Sequence, residues 1–128
     1  LPATWYEFIN GRVFFWASEE RLFRLLSARQ YRETSHQVIA IDTRSLVEAH
    51  EDRVLVCHIN SGNTHPFPHP RDFTIFKSIA EFPVKPSGKP VKEVVELTID
   101  YSVPDITPHV LSVTEMKGST RSRDIYVR

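Results

Sequence analysis

The sequence predicts an α+β fold, a mostly antiparallel β-sheet core with two to three packed helices. Short apolar runs with strand character, such as "RVFFW" (Arg12 to Trp16) and "QVIAID" (Gln37 to Asp42), interleave with capped helical stretches. These elements follow one another without the long, regular crossovers of a doubly wound parallel sheet. The 128 residues suit one domain, 1–128, with one core, and no repeat or low-complexity segment interrupts it.

In chain order, Thr4 and Glu7 have capping-box spacing before an apolar stretch, and Asn10-Gly11 ends that helical turn. "RVFFW" reads as a buried strand. Ser18 is a favourable N-cap for a helix from about Glu19 to Arg29. Glu19 and Glu20 fall in its first turn, where the helix dipole favours anions, and Leu22, Leu25, Leu26 and Arg29 share one face. "QVIAID" is the second strand. Asp42 and Thr43 then cap a helix that carries Leu46 and Val47 to about His50. "RVLVCHI" from Arg53 is a third strand. "FTIFKSI" is a short extended piece, and residues 83–93 form a turn-rich, basic loop. "EVVELTID" is a strand stopped by Val103-Pro104; "HVLSVTEM" from His109 is expected to pair with it, and Gly118 to open a mobile tail over 117–128.

Composition excludes several classes. Sixteen basic residues balance sixteen acidic ones, so no global field draws the surface to nucleic acid or lipid. The longest apolar runs, "VFFW" and "VIAI", are far too short to span a bilayer, and no membrane partner is expected. Cys57 is the sole cysteine, which excludes an internal disulfide and points to a reducing cytoplasm. The chain begins at Leu1 without a signal-peptide pattern, and its one methionine is Met116. We therefore expect an N-terminal segment upstream of Leu1.

His58, His65 and His69 are spaced by seven and four residues with no interleaved carboxylate. That is poor spacing for tetrahedral zinc, and no metal is expected. Cys57 sits inside a strand pattern beside His58, but successive strand residues face opposite sides, so it reads as a small buried hydrophobe. Residues 60–71, "NSGNTHPFPHPR", are rigid and polar. Asn60 to Asn63 can turn backbone N–H groups toward an anion, and Arg71 can offer a phosphate two hydrogen bonds. The plainer account is a loop whose Asn and Ser side chains satisfy its own backbone, stiffened by Pro66, Pro68 and Pro70. Strand alternation puts Val94, Glu96 and Thr98 on one side and Val95, Leu97 and Ile99 on the other. Periodicity leaves two accounts of Glu96 open: a half-exposed polar face, or a carboxylate presented into a cleft.

The blocks "RVFFWASEERLFRLLSARQY", "VIAIDTRSLVEAHEDRV", "INSGNTHPFPHPRDFTIF" and "VVELTIDYSVPDITPHV" resemble, in that order, an uncharacterised bacterial family. The likeness runs from about Trp5 to Val113, and its most specific part is the INSG-x-T-x-P-x-PHPR block. More remotely, "VFFW", the helix after it, "VIAIDTRSL" and "VELTIDYSVPDI" resemble the DarT-type DNA ADP-ribosyltransferase toxins. Those proteins carry a glutamate at the start of a late strand and a Val-Pro segment after it, which Glu96 and Val103-Pro104 match. The resemblance implies an ADP-ribosyltransferase-like split sheet that binds NAD, with Glu96 as the catalytic carboxylate. It further implies Phe15, Trp16, Ser18 and Arg71 on the NAD, and Asn60, Ser61, Thr64, His65 and His69 on the substrate or loop side. A nucleic-acid or protein acceptor and an antitoxin-like partner protein would complete a toxin–antitoxin system. The nicotinamide-side histidine or arginine of such transferases lies in an upstream strand, which the resemblance places before Leu1.

Two other classes stay open. One is a non-catalytic module that binds a nucleotide or a partner through the 60–71 loop. The other is a nuclease or phosphohydrolase using His65, His69 and Arg71. Neutral net charge argues against nonspecific nucleic-acid binding, and the lack of a carboxylate cluster argues against a metal-dependent nuclease.

Overall fold

The computed structural model describes residues 3–59 and 73–128. Along the chain run α1 (Ala3–Asn10), β1 (Arg12–Trp16), α2 (Glu19–Leu26), β2 (Ser35–Ile41), α3 (Thr43–His50), β3 (Val54–Cys57), β4 (Phe76–Lys77), β5 (Glu96–Asp100), β6 (Val110–Lys117) and β7 (Thr120–Val127). Single 3-10 turns occupy Glu51–Arg53, Phe73–Ile75 and Thr107–His109. The α+β expectation holds: two antiparallel sheets and three helices. The chain divides into two compact units, Leu1–Ala17 with Asp52–Val103 and Ser18–Glu51 with Pro104–Arg128.

The first unit is built on a four-stranded sheet of order β1-β5-β3-β4. Its register aligns Val13, Ile99 and Val54 in one row, Phe15, Leu97 and Val56 in another. Val54, Val56, Val95, Leu97 and Ile99 form a buried aliphatic face, as unbroken runs of β-branched residues on a flanked strand should. On the other face Trp5 of α1 packs with Cys57 and Phe76, joined by Phe8 and Leu55. The Trp5 and Phe8 rings lie 5.8 Å and 5.0 Å from that of Phe76.

A polar stitch crosses the same face. Arg12 Nε donates to Thr98 Oγ1 at 2.7 Å, and the Thr98 hydroxyl donates to the Leu55 carbonyl at 3.1 Å. The guanidinium also reaches the Arg53 carbonyl at 2.9 Å and lies over the Phe8 ring. Neither face of β5 is therefore half-exposed: Glu96 is 6% exposed and Thr98 0%. Alternation tells which residues share a face, but α1 decides that this face is covered.

The second unit carries the sheet β2-β6-β7. Ser18 caps α2 as expected, its hydroxyl accepting from the Arg21 N–H at 3.2 Å. The helix stops at Leu26 rather than near Arg29, because the chain tightens there. The Ser27 N–H already reaches Leu25 O as well as Phe23 O, and Ala28 and Tyr31 continue in short turns. Asp42 leaves β2 to cap α3, its carboxylate accepting from the Ser45 N–H at 3.2 Å.

Two expectations about pairing change. "HVLSVTEM" does not join β5, since both edges of β5 are taken by β1 and β3; β6 pairs instead with β2 and β7. The stretch read as a tail is β7, which returns along β6 from Val127 opposite Ser112 to Thr120 opposite Lys117. Gly118 makes that reversal with φ +58°, and a β-carbon there would meet the Arg32 carbonyl oxygen at 2.9 Å. Gly118→Ala should therefore cost about 1–2 kcal/mol, read as a lower urea midpoint at unchanged slope. An unshifted midpoint would mean the hairpin does not depend on this turn.

Candidate functional site

Glu96 opens β5, and β5 is flanked on both sides, so the carboxylate projects from one of the stiffest positions of the first unit. Its direct neighbours are Trp16 on β1 and Cys57 on β3. Phe76 of β4 extends the row beyond Cys57. Residues directly opposite in antiparallel strands share a face, with β-carbons about 4.5–5.5 Å apart. The row Trp16, Glu96, Cys57, Phe76 thus sets one carboxylate among two aromatics and a buried thiol. A carboxylate 6% exposed is costly to bury, and strand ends keep such a group only where its surroundings compensate it.

Among the expected NAD-side residues, Trp16 shares the face of Glu96, whereas alternation turns Phe15, opposite Leu97, to the aliphatic face. Ser18 belongs to the second unit, where its hydroxyl oxygen is engaged in capping α2. Arg71, Asn60, Ser61, Thr64, His65 and His69 lie outside the described residues. The strands that bracket residues 60–72 in the chain, β3 and β4, pair through Cys57 and Phe76, and Cys57 also pairs with Glu96. Both chain connections to that segment therefore sit beside the Glu96 row. Cys57 is 0% exposed, as its strand position implied.

His58, just past β3, has its imidazole pKa lowered, first by desolvation and then by the charges of Lys92 and Lys77. A histidine that binds its proton less readily when folded favours unfolding as pH falls through its unfolded value of about 6.5. The loss levels off below the folded pKa. His58→Gln should remove this contribution, so wild type should lose more thermal midpoint than the variant between about pH 7.5 and 5. Parallel pH profiles for the two proteins would contradict it.

A second grouping escaped the sequence reading. In the second unit His50, Asp105 and His109 converge, their ligand atoms all within 4.8 Å of one another. Desolvation pushes the Asp105 carboxyl up, but hydrogen bonds from His50, its own backbone and His109, with the charge of His50, outweigh it and hold it below the usual range. The Asp105-x-x-x-His109 spacing is legible in the sequence. His50 stands 55 residues from Asp105, and only the fold brings it there.

Fold and site together define an α+β protein of paired antiparallel strands with a buried strand carboxylate. The chain belongs to a family of unknown function, DUF7002, whose family model matches residues 1–110. No curated protein and no solved structure matches it. No helix among the described residues is long and apolar enough to cross a membrane.

Proposed function

We propose that the chain is an ADP-ribosyltransferase-like enzyme that moves ADP-ribose from NAD to a nucleic-acid or protein acceptor, with Glu96 as its catalytic carboxylate. The observation that carries the reading is Glu96 itself: a carboxylate retained at 6% exposure on a doubly flanked strand, opposite Trp16. A carboxylate is costly to keep on so stiff and covered a strand position, and enzymes place their working carboxylates in such settings, so its position supports a chemical role. The likeness of "VELTIDYSVPDI" to the DarT-type strand supports it independently.

In this reaction the bond between nicotinamide and ribose C1′ breaks, and nicotinamide leaves with the bonding electrons. The acceptor nucleophile bonds to C1′ and gives up its proton. Positive charge develops on the ribose between these events. A carboxylate fixed by a strand and accepting a hydrogen bond from the ribose 2′-OH stabilises that charge more than it stabilises NAD. Trp16, on the same face, would offer an aromatic surface to nicotinamide or a base. Arg71, in the segment that departs beside the Glu96 row, would pair with the pyrophosphate.

The test incubates the full-length protein with NAD labelled in its adenylate part and a mixture of DNA, RNA and protein acceptors. Label that becomes covalently attached to one acceptor class supports the reading and names the acceptor. Folded protein that binds NAD and transfers nothing would replace it with a nucleotide-binding module.

A further inference from the structure

His50 is the last residue of α3, and Asp105 and His109 lie four residues apart around the 3-10 turn Thr107–His109. His50 Nε2 is 2.8 Å and 3.0 Å from the two Asp105 carboxylate oxygens. His109 Nε2 is 3.5 Å from Asp105 Oδ2. Both imidazoles are nearly buried, with side chains 12% and 10% exposed, while the Asp105 side chain at 46% opens the group to water. Two rings thus aim the same nitrogen at one carboxylate.

The far side of His109 fixes where that nitrogen points. Its Nδ1 lies 2.8 Å from Ser45 Oγ, and Ser45 Oγ lies 3.2 Å from the Asp42 carbonyl oxygen. With a metal on Nε2 the ring's remaining proton sits on Nδ1, which would donate to Ser45 Oγ while that hydroxyl donates to the Asp42 carbonyl. His109 Nε2 and Asp105 Oδ2 thus present two possible ligand atoms 3.5 Å apart, a spacing that one bound cation could bridge. Imidazoles that bind metals are held in this way, by a hydrogen bond from the other ring nitrogen. The C-terminus of α3, with its partial negative charge, adds to the attraction for a cation at His50.

We propose that His50, Asp105 and His109 bind a divalent transition cation of the zinc class, with Ser45 as the positioning residue for His109 and water completing the coordination. Two imidazole nitrogens and one carboxylate suit zinc rather than magnesium or calcium, which take oxygen. Tetrahedral bonds of about 2.0–2.1 Å place ligand atoms about 3.3 Å apart. The His109–Asp105 contact is near that spacing already, the exposed Asp105 side chain can swing away from His50, and all three ligand atoms lie within 4.8 Å of one another. The site draws on the second unit alone and is independent of the role proposed for Glu96.

The test uses untagged, chelator-treated full-length protein, titrated with zinc by calorimetry and with cobalt by visible absorption. One equivalent should bind in the micromolar range or tighter, and cobalt should give the intense bands of a four-coordinate site. Asp105→Ala and His50→Ala should each weaken zinc about a hundredfold, and Ser45→Ala, which keeps all three ligands, about 10- to 100-fold. Melting of each metal-depleted variant checks its fold; if His50→Ala does not fold, the exposed Asp105 and the non-ligand Ser45 decide. Absence of stoichiometric zinc would overturn the proposal, leaving the three side chains as a hydrogen-bonded cluster. Binding that survives Asp105→Ala would overturn it equally, since the metal would then sit on other histidines.

Discussion

Glu96→Gln is expected to lower ADP-ribose transfer by about two to three orders of magnitude, some 3–4 kcal/mol of transition-state stabilisation. The substitution keeps the shape of the side chain and part of its hydrogen bonding, and removes only the charge. Within a strand flanked by β1 and β3 it has little room to relax, so the effect should be chemical rather than positional. NAD affinity should change far less than turnover, because the ribose carries its positive charge in the transition state and not in the bound substrate. The comparison is of single-turnover transfer rates and NAD dissociation constants for both proteins at matched folded fraction. Equal rates would remove Glu96 from the mechanism. A buried Gln that instead stabilises the fold and leaves nucleotide binding intact would speak for a binding module.

The largest expected loss of stability comes from Trp5→Ala, at about 3–5 kcal/mol. Trp5 is 2% exposed and packs with Cys57 and Phe76, so truncation leaves a cavity on the sheet face rather than a dent in the surface. The consequence spreads, because α1 has only eight residues. A helix that short is marginal alone, and its packed face is what holds it folded. Undocking α1 would also expose the Arg12–Thr98 stitch, whose hydrogen bonds count for more under cover than in water. Denaturant unfolding followed by far-ultraviolet circular dichroism measures the effect. A change below about 1 kcal/mol would mean that α1 does not anchor this face. Trp5→Phe, which keeps an aromatic ring against Phe76, should recover most of the difference.

Local chemistry wrote a good part of this protein. Ser18 and Asp42 cap their helices because each side-chain oxygen needs only an N–H three residues along the chain. "RVFFW", "VIAI" and "VLVC" lie within strands because β-branched and aromatic residues in short runs favour extended backbone. Gly118 marked a turn in the sequence, yet only the partner strand shows that it reverses the chain into β7 rather than releasing a tail. Alternation set Glu96 and Thr98 on one side of β5; whether that side meets water depended on α1, which lies some ninety residues earlier in the chain.

Strand order was beyond local reach for a related reason. An antiparallel partner can come from anywhere in the chain, and β6 found β2 and β7 because β1 and β3 already held both edges of β5. The histidines show the same division. His58, His65 and His69 drew notice by lying close together in sequence, while His50, Asp105 and His109 meet because α3 and the Thr107–His109 turn pack in one unit. The sequence by itself determined the caps, the strand candidates and the α+β class, since those depend on bonds and rotamers within a few residues. Tertiary structure alone decided which faces are covered, which strands pair and which side chains converge, because each of those requires chain closure over tens of residues, whose entropy only the assembled core offsets.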